Sequence, residues 1–319
     1  MRNLKVLVTG GAGFIGSHLI YALKNRCEVT VIDNLSLGDK RNVPKDVFFK
    51  RMSVADLECS HVQYDVVFHL GIPSSSPMYK ANPYLVGRTI NEMITVLECC
   101  KRWDAKLIYA STSSIYNGNP LPFREDMPVY VSDFYTECRY AMERLANLYY
   151  ELYRVPSVGL RFFSVYGENE WHKGKYANLV SQFLWSIMKD EPPVIFGDGS
   201  QTRDFIYVGD VVGALLKSMR FLLENNVCEI FNVGTGRAYS FNELVGIINR
   251  MLGKNVQPKY VENPIPNYVF HTLADTKKAG KILGFKAKVT LEKGVEIVWK
   301  RSQNVKLSLV KIERRGSAE

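Results

Sequence analysis

This sequence lacks several features that would place it in a specialised class of protein. No apolar run approaches the roughly 20 residues that a membrane-spanning helix needs, and the N-terminus has no signal-peptide pattern. We therefore expect a cytoplasmic protein with no membrane association. Cysteine is also scarce, and the six cysteines show neither CxxC spacing nor a zinc-ligand pattern with histidine. We predict reduced, mostly buried thiols and no metal site.

Long blocks of like charge are missing as well, although the formal net charge is +9. The basic residues are scattered, apart from small clusters such as Lys277–Lys278 and Arg314–Arg315. No nucleic-acid-binding motif accompanies them, so we expect no nucleic acid partner. An anionic small substrate together with a solvated basic surface accounts for the charge.

The most informative stretch is a glycine-rich turn near the N-terminus. A short, mostly apolar run, Lys5–Thr9, comes first, and a helical stretch, Phe14–Lys24, comes last. The three glycines of the turn are Gly10, Gly13 and Gly16. The first permits a sharp turn, the second lets a phosphate approach the backbone, and the third lets the helix pack on the strand. The unpaired N–H groups and positive dipole of the helix start suit a pyrophosphate.

A second strand-like run strengthens this interpretation. Glu28–Ile32 is followed by Asp33, about where an acid should bind an adenosine ribose. An isolated glycine-rich triplet is more simply an ordinary loop. Here strand, turn, helix, second strand and acid occur in the order of a dinucleotide site, which the sequence therefore predicts.

The rest of the first half alternates between strand-like and helical segments. Helical periodicity marks Asn91–Lys101 and Tyr135–Tyr153. The further predicted strands are Val47–Lys50, Val66–Leu70, Leu107–Ala110, Val158–Phe162 and Ile230–Val233. This alternation predicts an α/β fold with a Rossmann-like, doubly wound parallel sheet. Ligands of such sheets bind beyond the carboxyl ends of the strands, here segments 10–16, 33–36, 70–76, 111–116 and 163–167.

The second half of the chain is less regular. A basic loop leads to a helix-like stretch, Tyr176–Lys189, and Ser240–Glu243 is a capping box for a helix that stops at Gly253. We predict a dinucleotide-binding domain of residues 1–167, to which residues 204–235 return. A smaller α/β C-terminal substrate lobe would comprise residues 168–203 and 236–319.

Tyr135 and Arg139 lie four residues apart at the start of a predicted helix, so they share one face. A free tyrosine has a pKa of roughly 10, and a nearby cation lowers it by stabilising the phenolate. The pair can be a tuned acid or base, or simply a surface tyrosine beside a cation. Thr112, at a strand end, favours the first interpretation because its hydroxyl could share a proton with Tyr135 and a substrate hydroxyl.

A series of motifs along nearly the whole chain resembles one family. In order they are TGGAGFIG (9–16), FHLG (68–71), STSSIY (111–116), Tyr-x3-Arg-x3-Glu (135–143), RFFSVYG (161–167), GDGSQTRDFIYVGDV (197–211), FNVGTG (231–236) and LADTKKAGKILGF (273–285). Together with Asp33 they are similar to the extended short-chain dehydrogenase/reductases, in particular the nucleotide-sugar epimerase/dehydratase group. The resemblance implies an isomerase that carries out NAD-dependent 4-epimerisation of a nucleotide-diphosphate sugar.

The resemblance implies NAD as the cofactor. It assigns cofactor binding to Gly10, Gly13, Phe14, Ile15, Gly16, Asp33, Asn34, Ser36, Leu70, Gly71, Tyr135 and Arg139. Because a carboxylate at Asp33 repels a 2′-phosphate, NAD is favoured over NADP, and Lys40 and Arg41 are a weak counter-signal.

The resemblance also implies a nucleotide-sugar site, most simply for a UDP-sugar. It assigns substrate binding to Thr112, Tyr135, Ser164, Asn178, Leu179, Phe196, Arg203 and Thr272. Arg203 matches a diphosphate clamp, since an arginine fork suits phosphate oxygens. Catalysis falls to Thr112, Tyr135 and Arg139. Tyr135 would take the proton of the sugar 4-hydroxyl, and a transient 4-keto sugar would receive hydride on its other face.

Several positions depart from the family pattern. Arg139 replaces a lysine, which keeps the charge but changes its shape. Ser53 stands where an acid near the adenine is common. Ser113 and Ser114 follow the catalytic threonine where sugar dehydratases and decarboxylases carry acids. No carboxylic acid is therefore available there for elimination or decarboxylation, and plain 4-epimerisation is the simplest reaction.

The departure with the largest consequence lies in residues 263–272. Ile265 and Tyr268 occupy the places of a second diphosphate-binding arginine and an aspartate, so Lys173 or Lys175 is a candidate replacement. Thr272 aligns with a position whose bulk decides whether an N-acetyl group fits. A residue of this size suggests that the N-acetyl forms of UDP-glucose and UDP-galactose are accepted too.

Two other functions remain open at this point. The first is another reaction on the same fold, such as 3,5-epimerisation or reduction of a 4-keto sugar. The second is an NAD-binding sensor that is catalytically weakened by Arg139. The resemblance further implies a homodimer formed through the helices predicted at Asn91–Lys101 and Tyr135–Tyr153.

Overall fold

The structure, a computed structural model, describes residues 4–59, 62–265 and 268–316. Its strands are β1 (Lys5–Thr9), β2 (Glu28–Asp33), β3 (Phe48–Arg51), β4 (Val66–His69), β5 (Lys106–Thr112), β6 (Ser157–Phe162), β7 (Ser164–Tyr166), β8 (Val194–Phe196), β9 (Thr202–Arg203), β10 (Phe205–Tyr207), β11 (Cys228–Val233), β12 (Tyr239–Ser240) and β13 (Lys259–Val261). Its α-helices are α1 (Phe14–Leu23), α2 (Ser76–Ala81), α3 (Leu85–Trp103), α4 (Phe134–Tyr153), α5 (Leu179–Met188), α6 (Val208–Glu224), α7 (Phe241–Leu252), α8 (Lys277–Leu283) and α9 (Leu291–Gly316).

Within these residues, seven strands form one parallel sheet in the order β11-β6-β5-β4-β1-β2-β3. The chain order reverses between β1 and β4, which is the topological switch of a doubly wound fold. Strand β6 shows why the sheet forms here, since all six of its residues are buried and both of its edges are paired. Such strands are typical of parallel sheets covered on both faces. The predicted fold class is confirmed.

The predicted strands of this sheet are all present, with ends that shift by at most two residues. Two helices begin three or more residues away from their predicted start. Helix α3 starts at Leu85 rather than Asn91, after a turn in which the Asn82 side chain accepts a hydrogen bond from the Tyr84 N–H at 3.2 Å. Helix α5 starts at Leu179 rather than Tyr176, because the Asn178 side chain caps it by accepting from the Val180 N–H at 3.0 Å.

Helices cover both faces of the sheet. On one face α1 and α6 contribute buried side chains such as Leu19 and Leu215 to a core that includes Val31 of β2. On the other face α3 and α4 contribute Met93 and Met142 to a second core. The two cores hold the strands in register, and so they fix the loops at the carboxyl ends of the strands.

A third core lies in the later part of the chain. Helices α5, α7 and α9 pack together through side chains such as Phe183, Phe241 and Val295. Between α5 and α7 the chain returns to the main sheet, because α6 packs on α1 and β11 pairs with β6. The division of the chain into two domains at the predicted boundaries stays a prediction.

The predicted burial of the thiols is confirmed for Cys27, Cys100 and Cys138, while the side chain of Cys59 lies outside the described part of the chain. Among the described residues, no helix is both long enough and apolar enough to cross a membrane.

Candidate active site

A cavity of about 570 Å³ opens at the carboxyl ends of the central strands. Each of the five predicted segments contributes residues to its lining. This is the edge of the sheet where the chain order reverses, and a crevice there is the usual ligand site of an open α/β sheet. The five segments predicted from the sequence thus meet at one cavity.

The glycine turn forms one wall of the cavity. Gly10 has a φ of 68°, and a Cβ atom there would overlap the backbone of Gly71. A Cβ atom on Gly16 would overlap the carbonyl oxygen of Gly10. A Cβ atom on Gly13 would lie 3.1 Å from the same carbonyl oxygen, which is a tight contact. Helix α1 has no side-chain cap, which leaves its first N–H groups for an anion. This cradle fits the diphosphate of a dinucleotide.

Asp33 closes the next part of the cavity at the end of β2. Its carboxylate accepts hydrogen bonds from the Ala12 N–H at 3.0 Å and the Leu35 N–H at 2.8 Å. Burial raises the pKa of this carboxyl. Lys40 and Arg41 were weak evidence for NADP, because a cation beside Asp33 could bind a 2′-phosphate. Neither residue belongs to the lining of the cavity. The other predicted cofactor residues that line the cavity are Phe14, Ile15, Asn34, Ser36, Leu70 and Gly71.

The three predicted catalytic residues line the same cavity. Tyr135 is the second residue of α4, and Thr112 is the last residue of β5. Thr112 donates a hydrogen bond to the Ser114 hydroxyl at 3.2 Å and accepts one from the Ser114 N–H at 3.2 Å. No hydrogen bond joins Tyr135 to Thr112 in the described part of the chain, so the two hydroxyls do not exchange a proton directly in this arrangement.

Arg139 is buried beneath Tyr135. The carbon Cζ of its guanidinium lies 5.2 Å from the centre of the Tyr135 ring. The guanidinium donates to the Ala110 carbonyl at 2.9 Å and to the Pro73 carbonyl at 2.8 Å. Burial opposes its positive charge, but the neighbouring tyrosines Tyr135 and Tyr79 outweigh burial, and the pKa of Arg139 is raised. Arg139 thus places a fixed cation beside Tyr135, and its hydrogen bonds also link β5 to the loop after β4.

Glu143, the last residue of the Tyr-x3-Arg-x3-Glu motif, has a different partner. Its carboxylate forms a buried ion pair with Arg161 of β6, with bonds of 2.9 and 2.7 Å. It also accepts from the Ser111 hydroxyl at 2.5 Å. These contacts join α4 to β5 and β6. Glu143 thus helps to fix the position of α4, the helix that carries Tyr135.

The predicted substrate residues divide into two groups. Ser164, Asn178, Arg203 and Thr272 line the cavity. Leu179 and Phe196 lie outside its lining. Leu179 packs against the third core, and Phe196 pairs with Val261 in the β8–β13 ladder.

Arg203 is anchored by the segment that departs from the family pattern. Its guanidinium donates to the carbonyls of Phe270 at 3.0 Å and Val269 at 2.5 Å. It also lies over the rings of Phe241 and Tyr268, at 5.2 and 5.4 Å. Burial lowers the pKa of Arg203. Residues 268–270 therefore hold this cation at the cavity wall instead of adding a second one.

Of the two lysines suggested as a replacement cation, Lys173 lines the cavity and Lys175 does not. The Lys173 ammonium lies 2.9 Å from a carboxylate oxygen of Glu170 and 5.2 Å from the centre of the Phe14 ring. Phe14 begins α1, so Lys173 adds positive charge close to the glycine turn.

Sequence reasoning missed several lining residues, among them Arg88, Glu92 and His172. Arg88 precedes Asn91, the predicted start of its helix. The prediction therefore did not place Arg88 and Glu92 four residues apart on one helix. His172 lies after β7 in a short 3-10 segment. Such a segment has too few residues for sequence periodicity to predict which side chains face the cavity. Burial lowers the pKa of His172, which favours its neutral form.

Comparisons with known proteins agree with this geometry. Residues 6–234 match the model of the NAD dependent epimerase/dehydratase family. A putative UDP-glucose 4-epimerase of Methanocaldococcus jannaschii is 35% identical over 315 residues, which is 94% of this chain and 99% of that protein.

Two solved structures are similar throughout. One is the UDP-glucose 4-epimerase of Thermotoga maritima with UDP-glucose, with a TM-score of 0.89 and 30% identity over 95% of this chain and 99% of that one. The other is the UDP-N-acetylglucosamine 4-epimerase of Methanobrevibacter ruminantium M1 in complex with UDP-N-acetylmuramic acid, with a TM-score of 0.87 and 32% identity over 95% and 100%.

Proposed function

The chain belongs to the NAD-dependent epimerase/dehydratase family, and from this premise we propose that it epimerises a UDP-sugar at C4 with bound NAD. One observation carries the proposal. Tyr135, Arg139 and Thr112 line one cavity with the glycine turn and Asp33, so acid–base groups and a dinucleotide cradle face the same space.

The residues have separate roles in this reaction. Bound NAD supplies a reversible hydride acceptor. The glycine turn and the start of α1 hold its diphosphate, and Asp33 binds the adenosine ribose. Tyr135 removes the proton from the sugar 4-hydroxyl and returns it later, with Thr112 orienting that hydroxyl. Arg139 favours the phenolate of Tyr135 by its charge.

The surroundings of Thr112 favour epimerisation over elimination or decarboxylation. Ser114 is hydrogen-bonded to Thr112, and Ser113 is buried beside it. Neither side chain can act as a carboxylic acid toward the sugar. Elimination or decarboxylation would need an acid at one of these two positions, so epimerisation is the simplest reaction for this site.

The substrate half of the cavity suits a nucleotide diphosphate. Arg203 and Lys173 supply the positive charge that two phosphates need. Thr272 is buried at the cavity wall, where its hydroxyl accepts from the Asp204 N–H at 3.1 Å. Its modest size leaves room for an N-acetyl group at the neighbouring sugar carbon, so we include UDP-N-acetylglucosamine among the candidate substrates.

We also propose that the chain forms a homodimer through α3 and α4. Toward its C-terminal end, helix α4 exposes the large apolar side chains of Leu148, Leu152 and Tyr153. Four helices, two from each copy, would cover these side chains.

The first experiment is to incubate the purified protein with UDP-glucose or with UDP-N-acetylglucosamine, without added cofactor, and to separate the 4-epimers. We expect a product from at least one substrate. Tyr135→Phe should lower the rate by about 10²–10⁴-fold, because general acid–base catalysis contributes that much. Tyr140→Phe, on the same helix but outside the cavity, is the matched control.

Each other outcome points to a different function. In a parallel reaction with added reduced cofactor, net consumption of that cofactor would indicate a reductase, and inversion at other carbons would indicate a 3,5-epimerase. Bound NAD without turnover of either sugar would favour a sensor. Full activity of Tyr135→Phe would contradict the role of Tyr135 itself.

A further inference from the structure

Past Asp33, the cavity continues into a mostly apolar slot. The Met52 N–H donates to the Asp33 carbonyl at 3.2 Å, so the segment after β3 directly adjoins the ribose site. The walls include Met52, Val54, Ile72 and Leu85, and Val54 and Ile72 are buried. Apolar walls beside a ribose site suit the faces of a flat heteroaromatic ring.

A single buried carboxylate interrupts these apolar walls. Glu92 of α3 lines the cavity with a side chain that is 4% exposed, whereas its ion-pair partner Arg88 is 44% exposed. Surface pairs at this spacing normally expose both side chains. Burial of a carboxylate is costly unless its oxygens receive hydrogen bonds, so the second oxygen of Glu92 becomes important.

Both hydrogen bonds of the Glu92 carboxylate use the same oxygen. Oε1 accepts from Arg88 Nε at 2.8 Å and from the Ser53 hydroxyl at 3.4 Å. In residues 4–59, 62–265 and 268–316, no hydrogen bond is made to Oε2. Oε2 of Glu92 therefore lies at the wall of the apolar slot as an acceptor without a donor among these residues. The bond from Arg88 to Oε1 fixes its position.

We propose that Glu92 recognises the adenine base of the dinucleotide, by accepting a hydrogen bond from its exocyclic amine. This inference rests on the proposed function, since it requires the dinucleotide in this cavity. Ser53 has no carboxylate, and Glu92 of α3 places one within hydrogen-bonding distance of it. Arg88 balances the charge and fixes the side chain.

The proposal makes a prediction about base specificity. Hypoxanthine carries an oxygen where adenine carries the amine, and that oxygen would face the Glu92 carboxylate as a second acceptor. Glu92 should therefore discriminate between NAD and nicotinamide hypoxanthine dinucleotide. If Glu92 served only the ion pair with Arg88, the two dinucleotides would bind alike.

Calorimetric titration of the full chain, freed of bound nucleotide, tests this prediction. We expect the protein to bind NAD at least about tenfold more tightly than the hypoxanthine analogue, as loss of a hydrogen bond to a charged group predicts. Glu92→Gln should abolish or reverse the preference, because its amide can donate to the hypoxanthine oxygen. Glu98→Gln is the matched control on the same helix, where the carboxylate pairs with Lys101 away from the cavity, and it should keep the wild-type preference.

Equal affinity of the wild-type protein for the two dinucleotides would overturn the role of Glu92 and leave the proposed function intact. Failure of both dinucleotides to bind the wild-type protein would overturn the proposed function itself. If Glu92→Gln does not fold, Glu92→Asp provides a second test. It keeps the charge but withdraws the carboxylate by one methylene, so it should reduce the discrimination, and an unchanged preference would contradict the proposal.

Discussion

At the scale of single residues, His69 is the clearest case of a titratable group that the fold keeps neutral. It is fully buried at the end of β4, and its Nδ1 atom lies 2.9 Å from the Thr9 hydroxyl. Burial, with a smaller contribution from Arg139, lowers the pKa of His69 to about 3. Arg139 is therefore a permanent cation of the site, while the imidazole beside it stays uncharged.

This difference predicts a pH dependence of stability. In the unfolded chain the imidazole has a pKa of about 6.5. Below that value the unfolded state binds a proton that the native state does not bind. The free energy of unfolding should therefore fall by about 1.4 kcal/mol for each unit of pH below about 6.5 from this group alone. Urea unfolding between about pH 7 and pH 5 measures the slope.

His69→Gln should show a shallower fall, since it removes the proton uptake whatever its effect on stability at neutral pH. His271→Gln replaces an exposed histidine and should keep the wild-type slope. Parallel loss of stability in the wild-type protein and His69→Gln would show that other groups dominate acid destabilisation.

At the scale of secondary-structure elements, the start of α4 decides where Tyr135 lies. The Asp133 carboxylate accepts a hydrogen bond from the Thr136 N–H at 2.8 Å, and the Thr136 hydroxyl accepts one from the Asp133 N–H at 3.1 Å. Asp133 also accepts a hydrogen bond from the hydroxyl of Ser76 in α2. The cap thus fixes both the first turn of α4 and its contact with α2, which lies at the cavity.

Removal of this cap should affect stability and catalysis together. Asp133→Ala should lower the free energy of unfolding by about 0.5–2 kcal/mol, as N-cap losses do, and should lower kcat because Tyr135 lies in the frayed turn. Thermal denaturation and epimer formation provide the two measurements.

Two variants separate the cap from charge alone. Asp133→Asn retains a capping oxygen and should behave much like the wild-type protein. Glu137→Ala removes an exposed acid from the same turn and should cost only a few tenths of a kcal/mol. A cost as large as that of Asp133→Ala would favour the helix dipole over the cap.

Local signals explain which elements the sequence could predict. Runs such as Val66–Leu70 are mostly apolar, so the strands of the sheet were predictable within two residues. The start of α3 was not, because Leu85–Ile90 lacks a clear amphipathic period and its capping signal lies in Asn82. Asp33 and the glycines have a recognisable spacing, so their place in the site could be predicted. The place of Glu92 could not, because it depends on a contact with Ser53, which is remote in sequence.

At the scale of the whole molecule, the proposed dimer makes a prediction about the outer face of α4. Leu152 is 67% exposed in the chain alone. Leu152→Glu should shift the protein from dimer to monomer, because a buried charge without a partner opposes association. Light scattering coupled to size-exclusion chromatography measures the mass.

Leu223→Glu is the control, since Leu223 is an exposed leucine of α6, on the opposite face of the sheet. It should leave the mass unchanged. A wild-type protein that is monomeric at micromolar concentration, or a Leu152→Glu variant that stays dimeric, would contradict the proposed interface.

The position of β11 has a consequence for how the chain is made. Strand β6 is complete at Phe162, but its outer edge pairs with β11, which ends at Val233. During synthesis the ribosome must add some seventy further residues before that edge can be covered, since the interval runs from 162 to 233. Until then this strand, which is buried throughout in the native sheet, presents unpaired backbone groups, and these are a template for association between nascent chains. Chains truncated before Cys228 should therefore aggregate, and a chaperone that holds unfolded segments should bind the emerging protein mainly in this interval.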